Sequence, residues 1–342
     1  MFGRPSNPKS IKVRVFGKTD VGKTREHNED CFLVADLTRG DASLQPAVRE
    51  HELGPRGTLL VVADGMGGAA AGEVASEMAT QTIYEQLRKS WGAETELTAQ
   101  RFAARLKEAV ETANGHIHAY AKAHPEVRGM GTTTTAVGML GDHLYLTQVG
   151  DSRAYLVRDG VAVQLTKDQS LMQRLVEAGE LTEEEAAQSE RRNIILQALG
   201  PDPKVKVDLT HQDLRRGDVL VICTDGLSGL VKREEIGAIA GKEQDLAVAC
   251  DKLIALANDR GGPDNITVVI ARFEGDGLPA ETPDQAGHQI YPLIDTETST
   301  EPVPVYKGSK PPEPARRARA RWLTLLLLAG AGAAALYLAL AR

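Results

Sequence analysis

Cysteine is scarce in this chain of 342 residues: Cys31, Cys223 and Cys250 are the only three. No two of them stand at zinc-ligand spacing. An odd number set in apolar runs points to buried free thiols in a reducing compartment rather than to a disulfide framework. A basic excess is also lacking. The net charge of −7 argues against nucleic acid as the partner. The opening stretch, "MFGRPSNPKSIKVRVF", has no uninterrupted apolar core of the kind a signal peptide needs, so the main domain is expected to stay in the cytoplasm. What is present is an ordinary globular composition, 42% hydrophobic and 25% charged. The length suits one large domain or two small ones, and a single core of that size is readily buried.

One long apolar run does occur. Residues 322–341 read "WLTLLLLAGAGAAALYLALA", without a charge. At about 1.5 Å per residue such a helix crosses a bilayer core of about 30 Å. Arg316, Arg317, Arg319 and Arg321 precede it and only Arg342 follows. The positive-inside rule therefore predicts a single-pass anchor in the inner membrane, with the main domain in the cytoplasm. A buried core helix is the competing reading, and the terminal position and the basic run disfavour it. Residues 275–321 are rich in Pro, Thr and acids, as in "ETSTEPVPV", and end in the basic run. They read as an extended linker. Residues 1–10 read as a flexible N-terminus, which leaves a domain over 11–274.

Within that domain "IKVRVF" alternates apolar and polar residues, as a half-buried strand does, and "CFLVA" and "TLLVVA" are short apolar runs. The segment between the latter two, 37–57, reads as a polar loop. Helical spacing spans 71–89 and 99–123. "TTTTAVGML", "HLYLTQV" and "RAYLVRDGVAVQL" form an antiparallel series, with a hairpin turn at Asp159-Gly160. Short surface helices are expected at 170–179 and 183–190, strands at "KVKVDL" and "DVLVICT", a helix over 247–258 and a last strand at "NITVVIARF". Hairpins mixed with two groups of long helices exclude a regularly alternating, doubly wound sheet.

The stretch "GKTDVGKTREHNED" carries two patterns. Gly17-x-x-x-x-Gly22-Lys23-Thr24 satisfies the P-loop pattern for nucleotide phosphates. A P-loop needs a buried strand before it and a helix after it. Here the preceding strand alternates Val13 and Val15 with Lys12 and Arg14, and "TREHNED" offers no apolar stripe. The nucleotide reading therefore fails on context. Its tail, Arg25-x-x-Asn28-Glu29-Asp30, joins a cation to carboxylates instead. Two apolar strands end alike, "LLVVADGMGG" at Asp64-Gly65 and "VLVICTDGLSG" at Asp225-Gly226, and neither is followed by a hairpin partner. A carboxylate at the end of a buried strand is costly unless it is paired or holds a cation. With Glu29, Asp30 and the "GGPDN" acid Asp264 there are five such acids and few basic neighbours in sequence. Mg²⁺ or Mn²⁺, hard cations that take oxygen ligands, would balance them, and solvated turns are the plain alternative.

Together, "R-x-x-NED", "VVADGMGG", "GTT", "VGDSRAYLVRDG", "TDGLS" and "GPDNITVV" resemble the PPM (type 2C) metal-dependent serine/threonine phosphatases, the bacterial branch above all, over about residues 13–273. The resemblance implies an α+β fold, a four-layer αββα sandwich of two antiparallel sheets flanked by helices. It implies hydrolysis of phosphoserine and phosphothreonine in proteins by a hydroxide bridging two Mn²⁺ or Mg²⁺ ions, opposing a bacterial serine/threonine kinase; the expected anchor, by association, points to substrates at the inner face of the membrane, a membrane serine/threonine kinase among them. It assigns Asp64 as the bridge between the metals, Asp225 and Asp264 to the first ion, and Glu29 and the Gly65 carbonyl to the second. Asp30 would orient water from the outer shell, Arg25 would grip the substrate phosphate, and Asp151 would hold a third, weaker ion. Two departures stand out: Gly229, where many relatives carry an acid four residues after the Asp of the "DG" motif, and Met66, where some carry a His. Arg153 is a candidate partner for Asp151, and 168–188 resembles the family's flap beside the active site. An inactive, membrane-tethered phosphopeptide scaffold is the alternative of a different class.

Overall fold

The computed structural model describes residues 10–45, 47–281 and 285–294. The expected anchor at 322–341, the linker beyond 294 and residues 1–9 lie outside the described residues. Among the described residues no helix is long and apolar enough to cross a membrane.

The chain runs β1 (Lys12–Asp20), β2 (Asp30–Asp36), β3 (Asp41–Ser43), β4 (Arg49–Glu52) and β5 (Thr58–Met66) into the helices α1 (Ala69–Gly92) and α2 (Ala99–Ala123). Five strands follow: β6 (Gly131–Thr132), β7 (Thr134–Leu140), β8 (His143–Val149), β9 (Arg153–Arg158) and β10 (Val161–Gln164). Two short helices, α3 (Leu171–Glu177) and α4 (Glu183–Gln188), lead to β11 (Asp208–Asp213) and β12 (Val219–Cys223). The helices α5 (Asp225–Ser228), α6 (Arg233–Lys242) and α7 (Leu246–Asp259) precede the last strand, β13 (Ile266–Glu274).

Two antiparallel sheets result. One has the order β10-β9-β12-β13-β1-β4, the other β11-β8-β7-β5-β2-β3, with β6 paired to β5. Side-chain alternation explains why the strands read as nearly continuous apolar runs: both faces of each sheet are covered. In β5, Leu59, Val61 and Ala63 face α1 and α2, whereas Leu60 and Val62 face the other sheet. In β13, Val269, Ala271 and Phe273 point between the sheets, whereas Val268 and Ile270 meet α6 and α7. Three cores thus stack as helix-sheet, sheet-sheet and sheet-helix, the four-layer sandwich that the motifs imply.

Several segments differ from the sequence reading. The polar stretch 37–57 contains β3 and β4, sheet-edge strands whose "DAS" and "REHE" carry no apolar signal. The strand expected over 204–209 begins at Asp208 and runs on to Asp213. Helix α6 has no counterpart among the expected elements. The domain also does not stop at 274. Leu278 is buried, the Gly287 amide donates to Gln212 Oε1, and Ile290 bridges to Thr210. The His211 amide donates to the Gln289 carbonyl and the Tyr291 amide to that of Leu209. Residues 289–291 therefore lie along the open edge of β11 and satisfy backbone groups that would otherwise be bare.

The nucleotide-loop pattern dissolves in the same way. Residues Gly17 to Asp20 continue β1 and pair with Val269 to Ile266 of β13. Gly17 is needed for packing, since a Cβ there would lie 2.5 Å from the Phe32 ring. A turn rather than a helix follows Val21, and Lys23 is exposed, 4.0 Å from Asp259. Lys23→Ala is expected to keep the unfolding free energy within about 0.5 kcal/mol of the parent. ATP titration should give the same isotherm for both proteins, and an affinity lost with Lys23 would restore the nucleotide reading.

Candidate active site

The acids converge because their strands end together. Asp30 opens β2 and lies opposite Asp64 in the β2–β5 ladder. Asp225 follows the end of β12, and Asp264 precedes the start of β13 beside it. Asp151 sits in the turn between β8 and β9. One cleft of about 290 Å³ is lined by Arg25, Glu29, Asp64, Gly65, Asp151, Asp225 and Asp264. Asp30 is not part of this lining and is buried.

Each backbone is held by partners remote in sequence. The Asp64 amide donates to Thr133 Oγ1 (3.1 Å), and the Asp64 carbonyl accepts from the Thr133 amide and from Thr132 Oγ1, both at 2.8 Å. Thr133 Oγ1 also shares a hydrogen bond with Ser152 Oγ at 2.7 Å. The Thr132–Thr133 pair thus anchors Asp64. Asn265 does the same for the Arg25–Asp30 loop. Its Oδ1 accepts the Glu29 amide, its Nδ2 donates to the Val21 and His27 carbonyls, and its own amide donates to Asp264 Oδ1. Thr224 Oγ1 donates to Asp30 Oδ2 at 2.9 Å, which locks Asp30 beside Asp225.

Two glycines permit the approach of α1. A Cβ on Gly65 would lie 2.1 Å from the Gly72 carbonyl oxygen, and one on Gly72 would lie 2.5 Å from Glu29 Oε2. Gly72, Thr133, Thr224 and Asn265 were not among the sequence candidates. Thr133, Thr224 and Asn265 lie inside the motifs "GTT", "TDGLS" and "GPDNITVV", and Gly72 is signalled as a glycine inside an otherwise helical pattern. Arg153 is corrected: its guanidinium is bidentate to Asp168, with contacts at 2.9 and 2.6 Å, and so braces the root of the 168–197 segment rather than Asp151. Asn193 and Ile195 of that segment reach the cleft.

The electrostatics are one-sided. Five carboxylates line the cleft and Arg25, whose Nη2 lies 2.9 Å from Asp264 Oδ2, is the one cation among the lining residues. Burial, with repulsion from the neighbouring acids, raises Asp64 well above the ordinary carboxylate range. Burial first, then Asp225, raises Asp151 to about 8. Burial raises Asp30 to about 7 against the hydrogen bond from Thr224, and raises Glu29 and Asp225 as well. Burial also pushes the Cys223 thiol up to about 12 and raises that of Cys31, so neither supplies a thiolate nucleophile.

This donor set fits hard divalent cations. It is all oxygen, it carries surplus negative charge, and Asp30 Oδ1 is buried without a partner. Among the described residues no three His, Cys, Asp or Glu side chains close on one point as a preformed cage. The acids instead ring the cleft, which suits ions that keep several of their waters, as Mg²⁺ does.

The protein phosphatase 2C family pattern matches residues 38–259. The chain belongs to the protein phosphatase 2C family. That match begins after Arg25, Glu29 and Asp30 and ends before Asp264, but similarity to individual members reaches further. The serine/threonine phosphatase stp of Listeria innocua is 37% identical over 253 residues, 74% of this chain and 93% of that protein. The serine/threonine protein phosphatase PstP of Mycobacterium tuberculosis is 40% identical over 233 residues, 68% of this chain and 44% of that protein. The crystal structure of the catalytic domain of PstP in complex with two manganese ions superposes with a TM-score of 0.62 at 36% identity, covering 77% of this chain and 99% of that one. The family fold expected from the motifs is therefore the fold observed.

The raised carboxyls make the metal-free protein sensitive to pH. Each binds its proton to a higher pH folded than unfolded, so its contribution is present below about 4 and is lost as pH rises toward about 8. His51 and His288, lowered from 6.5 by burial, oppose this near pH 6 but are fewer. In EDTA the unfolding temperature is expected to be higher near pH 5.5 than near pH 8. Saturating Mn²⁺ should stabilise most at the alkaline end, because binding displaces those protons. An unfolding temperature in EDTA that rises from pH 5.5 to 8 would contradict the clustering of acids.

Proposed function

We infer that this protein is a metal-dependent serine/threonine protein phosphatase, acting on phosphorylated proteins with two Mn²⁺ or Mg²⁺ ions. One observation carries the reading: five carboxylates and a single arginine share one cleft in a chain of this family. The relatives named serine/threonine phosphatase, and the PstP domain that holds two manganese ions, support it. Asp64, Asp225, Asp264, Glu29 and the Gly65 carbonyl would hold the two ions, and Asp151 a third, with Gly229 contributing no carboxylate. Bound cations would lower the pKa of a water toward neutrality and offset the charge of the phosphoryl group.

The chain's own groups do the rest. Arg25 lies at the rim, about half exposed, and its planar fork matches two phosphoryl oxygens. Substrate binding draws it from Asp264 onto the phosphate, where it neutralises charge on the equatorial oxygens. Asp30, fixed through Oδ2, uses Oδ1 to accept a hydrogen from water at the back of the cleft and so orients it. Gly65 and Gly72 keep the first turn of α1 close enough to position Glu29.

We further propose action at the inner face of the membrane, with 322–341 as a single-pass anchor and the phosphatase domain in the cytoplasm. The uncharged apolar run and the arginines before it support this. A membrane serine/threonine kinase, whose products would share that surface, is the proposed functional counterpart. Full-length protein is expected to stay with the membrane fraction through a carbonate wash, and its release into the supernatant would refute the anchor.

Asp64→Asn and Asp225→Asn should each lower Mn²⁺-dependent turnover of p-nitrophenyl phosphate about a thousandfold or more, a loss of about 4 kcal/mol in transition-state stabilisation. Arg25→Ala should lower kcat/KM about 10- to 100-fold, the worth of a charge-assisted contact. Full turnover in excess EDTA would overturn the mechanism, and a wild-type chain inactive with Mn²⁺ would favour the phosphopeptide-binding scaffold.

A further inference from the structure

The larger cavity in the domain is not the one that holds the acids. A groove of about 540 Å³ lies across the 193–197 segment from the catalytic cleft: Asn193 and Ile195 line the cleft, whereas Leu196 and Gln197 line the groove. This shared wall is pinned on both sides. The Leu171 amide donates to the Ile194 carbonyl at 2.8 Å, the Leu196 amide to the Gln169 carbonyl at 2.7 Å, and the Lys206 amide to Gln197 Oε1 at 2.9 Å. Strand β11 contributes one side of the groove, and residues 288–293, laid along its edge, contribute another.

The lining combines apolar surface with positive charge. Leu196 is 47% exposed and Ile290 74% exposed, both large aliphatic side chains left uncovered beside the groove. Lys107, Lys167, Arg174 and Lys206 stand along it against Asp168, Glu177 and Asp208. Asp168 is already engaged from behind by Arg153. Glu177 pairs with Lys167 at 2.7 Å and Asp208 with Lys206 at 3.5 Å. Arg174 has no ion-pair partner within the lining, and Lys107 pairs outside it, with Glu111 at 3.1 Å. Four cations against three acids leave the lining with a positive balance, which complements carboxylates.

We propose that this groove docks a segment of the phosphoprotein substrate, outside the phosphorylated residue, in which carboxylates alternate with aliphatic side chains. The inference rests on the phosphatase reading above and names what that site selects. The geometry supplies two recognition elements: Leu196 and Ile290 take the aliphatic side chains, while Arg174 and Lys107 take the carboxylates. Because one wall serves both cavities, a chain that crosses it places its phosphorylated residue in the cleft while its flank lies in the groove. Docking of this kind raises the effective concentration of the phosphoryl group at the site without touching the chemistry.

The test uses the full-length protein with Mn²⁺ and two phosphothreonine peptides. Each has flanks of about eight residues, an extended reach of about 27 Å on either side. One carries Asp, Glu and Leu in the flanks and the other carries Lys and Ser. The parent protein should prefer the acidic peptide about tenfold in kcat/KM, through KM, with a preference that shrinks as salt rises. Arg174→Glu with Lys107→Glu should abolish the preference while p-nitrophenyl phosphate turnover stays within about twofold, and Arg174→Lys should retain it. Equal rates for the two peptides in the parent, or a preference that survives the double reversal, would overturn the proposal. Failure of the parent to hydrolyse p-nitrophenyl phosphate would instead remove the phosphatase reading itself.

Discussion

Repulsion among buried carboxylates is the constraint around which this protein is built. At an effective dielectric of about 20, two like charges about 5 Å apart repel by about 3 kcal/mol, and a domain of ordinary stability has only about 5–15 kcal/mol in total. Five acids line one cleft with one arginine among them. Burial first, with the neighbouring acids adding to it, holds these carboxyls above their ordinary range. A site with such a charge surplus is stabilised by cations and strained without them, so the property that recruits the metals also couples their binding to folding. The three stacked cores supply the apolar burial that lets the sandwich tolerate the strain.

Holding the acids in place falls to groups that carry no charge. Ladder pairing sets Asp30 opposite Asp64. The Thr132–Thr133 pair fixes the Asp64 backbone from one side, and Asn265 ties Glu29 to Asp264 from the other. Neutral donors and acceptors suit this task because they orient the carboxylates without neutralising them, which an additional lysine or arginine would do. Gly65 and Gly72 work by absence of a side chain, since any Cβ would push α1 off the loop that presents Glu29. The resulting site rests on strand ends, a helix start and loops tied down by these bonds, which is how a constellation is kept rigid enough for in-line attack on phosphorus.

The legible part of this architecture is the part written locally. Val13 and Val15 alternating with Lys12 and Arg14 identify a strand, and that strand is why the Gly17 pattern cannot be a nucleotide loop. Asp64 and Asp225 stand out because each ends an apolar run without a hairpin partner, whereas Asp159, with φ of 53°, turns directly into β10. What escapes the sequence is long-range or polar. Arg153 lies two residues from Asp151 yet pairs with Asp168, a choice made by the β9–β10 hairpin and the loop that follows it. Asn265 lies inside the "GPDNITVV" motif, but its task, bridging to Glu29 and His27, shows only in the fold. The edge strands β3 and β4 carry charged residues, as sheet edges must, and so erase the alternation by which strands are recognised.

The same edge logic accounts for the segment 285–294. Without it, the β11 edge would present bare amides and carbonyls, a template for pairing with other chains. Residues 289–291 satisfy that edge with two backbone hydrogen bonds, and Tyr291 secures them through edge-on contacts with Tyr145 and His211 at 5.2 and 5.3 Å. A cover that pairs through its backbone places few demands on its own side chains, so its composition reads as linker. Its side chains are then free to form one side of the groove beside the catalytic cleft, on a surface that extends beyond the part matched by the family pattern. Selectivity placed there can change without disturbing any residue that holds the acids, because no carboxylate in the cleft is bonded to that segment.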